Sequence, residues 1–406
     1  MSTAARKRAR FHELEVVEVR PLTADSIEVT FAVPADLRDE YRYLPGQYVA
    51  LRAHVDGREV RRSYSICRAP DAAEPGLRFD SGASRPRSTN ESKTDERDAR
   101  DRPTSEEGAT KEGRISVGIK RDLGGLFSVW AHENLRPGIR IEVMSPEGRF
   151  TSNLPELDHA HLVGIAAGSG ITPMMALASS VLATSPTARF SLVYTNRATR
   201  DVMFLEDLAD LKDRYPARLA LHHVLSREQR AAPLLSGRID AAKLDAILDG
   251  LVEPESVTEW FLCGPFDLVA LCRERLAARG IRDDSIRFEL FTTDADEPRA
   301  DRGRPVSVRA DDETYVLEFS LDGLSSTVES PVAADEPLLD AALRVRGDVP
   351  FACAGGVCGT CRARLVEGDV RMTQNFALEP DELERGYVLT CQSHPTTPRV
   401  VVDYDV

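Results

Sequence analysis

Cysteine is scarce in this chain: there are seven in 406 residues, at positions 67, 263, 272, 353, 358, 361 and 391. A sparse, odd set is a poor disulfide framework, which excludes a stapled secreted scaffold. A basic surplus is also missing. The chain carries 52 Lys and Arg against 66 Asp and Glu, a formal net charge of −14. A general nucleic-acid binder needs a basic face that displaces counterions from phosphates, although a local pocket for one phosphate stays open. A uniformly apolar run of about 20 residues is lacking too. The nearest stretch, 161–183, is interrupted by Gly168-Ser169-Gly170 and Pro173, and reads as a buried strand, turn and helix. The basic start MSTAARKRAR is not followed by the apolar segment of a signal peptide. These absences predict a soluble, cytoplasmic protein with neither nucleic acid nor membrane as partner. At about 150 residues per domain, the length suggests two to three domains.

The chain changes character along its length. Residues 11–66 alternate in short β-like runs, LEVVEVR, SIEVTFAV, YVALRAHV and RRSYSIC, with turns at Pro45-Gly46 and Asp56-Gly57. This predicts an antiparallel β-barrel over 8–155. Residues 71–113 interrupt it with 11 acidic and 8 basic residues and only Leu77 and Phe79 as large apolar groups. Such a composition buries too little surface to offset ordering entropy, so a disordered insertion is expected there. The strand pattern resumes with RISVGIK. Over 156–292, apolar runs HLVGIAA, RFSLVYT, LALHHVL and EWFLCG alternate with helical patterns at 173–184, 201–213, 239–249 and 265–279. That alternation predicts an α/β domain on a parallel sheet. A polar linker at 293–304 leads to a third domain at 305–406, with short strands, a helix near 337–346 and most of the cysteines.

Cys353, Cys358, Cys361 and Cys391 are spaced C-x4-C-x2-C-x29-C, the plant-type ferredoxin arrangement for a 2Fe-2S cluster. Thiolates are soft ligands suited to iron and sulfur. Three ligands on one loop can wrap a cluster while a fourth arrives from a distant strand, and Gly355, Gly356 and Gly359 let the backbone approach closely. A structural zinc site usually pairs two short knuckles, and only one is present.

Other motifs stand upstream in a fixed order: Arg62-Ser63-Tyr64-Ser65, then Gly124-Gly125-Leu126-Phe127-Ser128, then Gly168-Ser169-Gly170-Ile171-Thr172-Pro173, then Cys263-Gly264-Pro265, then Glu289-Leu290-Phe291. In this order they resemble the ferredoxin–NADP reductase superfamily, here with a plant-type 2Fe-2S domain of β-grasp (α+β) type at the C-terminus. The resemblance implies that Arg62 and Ser63 lie along the pyrophosphate of FAD, that Tyr64 packs on its ring, and that Ser65 bonds near N5, where the hydride arrives. It places the Gly124, Gly125, Leu126, Phe127 and Ser128 turn on the other side of the pyrophosphate, at a helix start. It sets Gly168, Gly170, Thr172 and Pro173 against the pyridine nucleotide, and Cys263, Gly264 and Pro265 beside the nicotinamide. Glu289 and Phe291 return to the flavin face. Ser65, Cys263, Glu289 and Phe291 are therefore the candidate catalytic set. Cys67 and Cys272 read as packing residues. FAD rather than FMN follows from the resemblance alone.

Arg197, Ser226 and Arg227 follow strands where the adenosine ribose would lie. A 2′-phosphate would call for Arg there, which points to NADPH ahead of NADH. Among relatives of this domain order, YLPGQYVALRAHVDGREVRRSYSICR, HLVGIAAGSGITPMMAL and LEPDELERGYVLTCQSHP are most similar to reductases of phenylacetyl-CoA epoxidases in phenylacetate degradation. Reductases of Rieske-type or ketosteroid oxygenases come next. The resemblance implies an enzyme passing electrons from NADPH through FAD and the cluster to an oxygenase component. A different class, a carrier that binds these cofactors without turnover, is the alternative. Residues 305–406 hold 18 acidic and 8 basic residues, and such a surplus can steer docking to a basic partner; Asp381, Glu382 and Glu384 are the expected contributors.

Overall fold

The computed structural model describes residues 10–405 except 56, 71–112, 123–124, 153, 155, 292–305, 307–310, 348, 352–354 and 379. The expected insertion thus lies outside the described residues, apart from Gly113, which opens a strand. The expected linker lies outside them as well.

The N-terminal part is an antiparallel sheet of six strands: β1 (Phe11–Thr23), β2 (Ser26–Val33), β3 (Tyr48–Val55), β4 (Arg58–Ser65), β5 (Gly113–Lys120) and β6 (Arg140–Met144). Their spatial order is β4-β3-β6-β1-β2-β5. The two edge strands meet through an Ile66–Val117 bridge, closing the sheet into a barrel. Alternation sends Leu14, Val16, Val29, Phe31, Val49, Leu51, Ile115 and Val117 inward, as a half-buried strand requires. The helix α1 (Leu126–Asn134) covers one end with Phe127 and Ala131. β6, which sequence reading did not single out, is five residues long yet lies between β3 and β1.

The second part has a parallel sheet of β7 (His161–Ala167), β8 (Arg189–Asn196), β9 (Leu219–Leu225), β10 (Glu259–Gly264) and β11 (Ile286–Leu290). The order is β11-β10-β7-β8-β9. Helices α2 (Ile171–Thr184), α3 (Leu205–Arg214), α4 (Ala241–Ile247) and α5 (Phe266–Ala278) complete it. Two apolar clusters form on this sheet, one around Leu162, Phe190 and Phe261, the other around Val163, Val193 and Trp260. A sheet covered on both faces explains why β7 and β10 read as nearly unbroken apolar runs. The helix expected at 201–213 starts later, at Leu205, because Thr199–Asp201 forms a 3₁₀ turn and Phe204 sits at φ 57.

The third part pairs β12 (Thr314–Leu321), β13 (Leu324–Pro331), β14 (Arg362–Glu367), β16 (Tyr387–Leu389) and β18 (Arg399–Asp403) in the order β13-β12-β18-β14-β16. Between them come α6 (Leu338–Leu343), β15 (Val370–Met372), α7 (Pro380–Glu384) and β17 (Ser393–Pro395), with β15 and β17 forming a separate ribbon. The parallel pairing of β12 with β18 places the first and last strands side by side, as expected for a β-grasp. Leu339 and Ala342 of α6 pack into its core with Phe319, Leu389 and Val402. Among the described residues, no helix is long and apolar enough to cross a membrane.

Candidate functional site

β4 carries Arg62, Ser63, Tyr64 and Ser65, paired in register with Leu51, Ala50, Val49 and Tyr48 of β3. Tyr64 packs on the buried ring of Phe127, 5.8 Å between centroids, and Phe127 packs on Trp130. Arg62 donates to the Arg61 carbonyl at 2.8 Å. Ser63 Oγ is buried with no hydrogen-bond partner. Buried polar atoms are rarely left unmatched, so this hydroxyl fits a site that takes a polar ligand group.

Ser65 Oγ donates to Glu289 Oε2 at 3.1 Å. Glu289 lies at the end of β11, in register with Cys263 of β10. Burial pushes the Glu289 carboxyl up to about 7, against the opposing pull of the Ser65 hydrogen bond. Burial also holds the Cys263 thiol well above its ordinary range, and the Glu289 charge adds to that. Three candidates far apart in sequence thus meet where barrel and parallel sheet touch. Phe291 donates its N–H to the Gly264 carbonyl at 3.1 Å, fastening the chain beyond β11 to the end of β10.

At the start of α1, Gly124 lies outside the described residues. Gly125 is the N-cap residue and Leu126 is exposed. Ser128 Oγ accepts from the Asp122 N–H at 3.0 Å and donates back to the Asp122 carbonyl at 3.3 Å, so it closes the preceding turn.

The strand order reverses direction between β7 and β10, and such a reversal leaves a crevice at the carboxyl ends of the strands. Gly168–Gly170 and Cys263-Gly264-Pro265 occupy those ends. A Cβ on Gly170 would stand 2.2 Å from the Cys263 carbonyl oxygen, so only glycine lets the two strand ends come this close. Gly168 faces open space, and its carbonyl accepts from Tyr194 Oη at 2.8 Å. Thr172 Oγ1 bonds the Ser169 carbonyl at 3.0 Å, and Pro173 is buried in the first turn of α2. Farther along the same edge, Arg227 N donates to the Arg197 carbonyl at 2.7 Å and Ser226 N to the Asn196 carbonyl at 2.9 Å. Two exposed arginines thus stand side by side at the ends of β8 and β9.

In the third part, Gly356 and Gly359 adopt φ +76 and +71, a backbone that glycine accepts without strain. Cys358 receives the Thr360 N–H at 3.5 Å. Cys361 and Cys391 are both buried. Arg362 pairs with Leu389, and Thr390 bonds the Cys361 carbonyl through its N–H and its hydroxyl, which sets Cys391 beside the loop. Cys353 lies outside the described residues. Among those described, no three His, Cys, Asp or Glu side chains are already gathered as a metal site. The donor set, thiols on a glycine-turned loop, fits an iron–sulfur cluster.

Sequence reading missed the contacts that join the parts. Buried Glu28 of β2 binds Arg20 at 2.7 Å and Arg68 at 2.5 Å, and both arginines reach Asp207 of α3. Buried Glu382 bridges Arg149, at 2.7 Å, and Arg362. This corrects one expectation: Glu382 is not a surface acid free to steer a partner, whereas Asp381 and Glu384 are exposed.

Residues 319–396 match the 2Fe-2S iron–sulfur cluster binding domain, and residues 165–274 the oxidoreductase NAD-binding domain. The chain is 39% identical to the reductase subunit of 1,2-phenylacetyl-CoA epoxidase from Escherichia coli K12, covering 97% of this chain and 98% of that protein. It is 33% identical to the ferredoxin reductase component of 3-ketosteroid-9-alpha-monooxygenase from Mycolicibacterium smegmatis, covering 97% of each. Phthalate dioxygenase reductase has the same fold, with a TM-score of 0.53 and 19% identity over 97% of this chain and 98% of that one. The chain therefore belongs to the family of oxidoreductases that includes the reductase subunit of 1,2-phenylacetyl-CoA epoxidase and the ferredoxin reductase components of monooxygenases, joining an NAD-binding domain to a 2Fe-2S domain.

Proposed function

We propose that this chain is a cytoplasmic reductase that takes electrons from NADPH and delivers them, through FAD and a 2Fe-2S cluster, to the oxygenase component of a phenylacetyl-CoA epoxidase. The observation that carries this reading is the Ser65–Glu289 contact, which brings the barrel strand with the Arg62–Ser65 motif to the strand ends with the Gly168–Gly170 and Cys263–Pro265 turns. When bound, FAD and the cluster supply the conversion of one hydride into two single electrons. The residues hold, orient and shield. Arg62 and Ser63 bind the flavin pyrophosphate, with the turn from Gly124 to Ser128 opposite. Tyr64 packs on the flavin ring and Ser65 bonds its reactive edge. Gly168, Gly170, Thr172 and Pro173 receive the coenzyme pyrophosphate at a helix start. Cys263, Gly264, Pro265 and Phe291 bound the nicotinamide, and Glu289 holds a proton close to Ser65. Arg197, Ser226 and Arg227 select the 2′-phosphate. Cys353, Cys358, Cys361 and Cys391 ligate the cluster. The functional units are 8–155, 156–292 and 305–406, joined by 293–304.

An anaerobic visible spectrum of the purified protein tests this reading. Flavin and iron–sulfur bands that bleach with NADPH are expected. A colourless protein overturns it, and coloured protein that does not bleach leaves the non-turnover carrier. The 33% identity to a ketosteroid monooxygenase reductase component supports a second reading, with a Rieske-type or ketosteroid oxygenase as acceptor. Efficient reduction of such an oxygenase, with no turnover of phenylacetyl-CoA by a competent epoxidase, would select it.

A further inference from the structure

The loop that carries Cys358 is fastened to the barrel. Tyr48, at the start of β3, donates its hydroxyl to the Cys358 carbonyl at 3.0 Å and lies 2.6 Å from Thr360 Oγ1, 312 residues away in sequence. One phenol can give one proton and receive another, so both contacts are satisfied together. Cys358 itself packs against the buried side chains of Tyr48, Ala50 and Met144. Tyr48 is also the cross-strand partner of Ser65. The residue placed at the flavin edge and the residue holding the cysteine loop are thus one rung of the same strand pair.

Other contacts define a face rather than a chance touch. The buried Arg61 guanidinium donates to the Gly347 carbonyl at 2.9 Å and stacks on Phe351 at 4.5 Å. On the far side of the loop, Phe376 donates its N–H to the Gly356 carbonyl, and its ring meets Phe266 at the start of α5.

We propose that Tyr48 is a positioning residue for electron transfer: its hydroxyl pins the 358–360 segment to the barrel and fixes the separation between the flavin site and the cluster site. This rests on the electron-transfer reading above. Transfer between two redox centres falls steeply with distance, so a loop that drifts loses rate without any loss of ligands.

Tyr48→Phe keeps the ring and its packing and removes only the hydroxyl. In the holoprotein, amide hydrogen exchange over 355–361 should accelerate by roughly two- to tenfold, the worth of one net hydrogen bond. Exchange in β12 and β18 should stay unchanged. In stopped flow, cluster bleaching should lag behind flavin bleaching, while the rate of flavin bleaching itself holds. Thr360→Ala should reproduce both effects, and the double variant should add less than the sum of the two. Unchanged exchange over 355–361, strictly additive effects, or an equal slowing of flavin bleaching would each overturn the proposal. A colourless wild-type protein would defeat the reading beneath it instead.

Discussion

Ser65 Oγ stands 3.1 Å from Glu289 Oε2, joining a barrel strand to the last strand of the parallel sheet. With its carboxyl pushed up to about 7 by burial, Glu289 is protonated below neutrality. As pH rises through 7, a carboxylate forms beside the proposed hydride acceptor and repels incoming negative charge. NADPH-driven dye reduction should therefore fall above pH 7, and Glu289→Gln should flatten that profile. The stability sign follows from linkage. The folded carboxyl titrates above its ordinary value of 4.5, so the folded state keeps a proton that the unfolded chain gives up. Stability should decline as pH rises from 4.5 to about 7 and level off beyond, a slope that Glu289→Gln removes. A profile identical in both proteins would disconnect Glu289 from the chemistry.

Cys358→Ser offers the cluster a hard oxygen in place of a soft thiolate. Iron–sulfur absorbance and oxygenase reduction should be lost, with flavin absorbance and ferricyanide reduction near wild type. Concurrent loss of flavin would show that the barrel depends on the cluster loop to fold.

Arg227→Ala should raise KM for NADPH more than for NADH. Charge-assisted contacts are worth about 1.5–3 kcal/mol. Arg227 is exposed, so screening places the effect at the low end, about tenfold. Equal changes with both coenzymes would remove Arg227 from 2′-phosphate recognition.

Gly170→Ala would drive a methyl group into the Cys263 carbonyl. Overpacking of this kind costs about 1–3 kcal/mol and forces the ends of β7 and β10 apart. Melting temperature should fall and coenzyme KM should rise, with flavin content retained. Wild-type coenzyme kinetics would show that the crevice tolerates the extra group.

Charge reversal separates two kinds of acid in α7. Asp381→Lys with Glu384→Lys alters exposed positions and should flatten the decline of oxygenase reduction between about 50 and 200 mM salt. Glu382→Gln instead leaves Arg149 and Arg362 facing each other. Breaking a buried pair costs about 3–5 kcal/mol, and the half-exposed Arg149 puts this case near the lower figure. The expected result is earlier melting, with the salt response retained.

Local order was legible in the residues themselves. HLVGIAA, LALHHVL and EWFLCG became β7, β9 and β10 at the expected bounds, because strands covered on both faces must be apolar throughout. The cysteine spacing and the glycines around it announced the loop, since ligand type and turn chemistry are written within a dozen residues. β6 escaped notice because five residues carry too little periodicity, though its neighbours make it central. The acidic surplus after residue 305 was a matter of counting, but Glu382 vanishing between Arg149 and Arg362 was not. Nor could Tyr48 be linked to Thr360, or Ser65 to Glu289. Composition, period and spacing act over a few residues and determine strands, helices and ligand loops. Which charged or hydroxyl side chains meet across 200 or 300 residues depends on how three separately formed cores dock, and that was decided only when the complete chain packed.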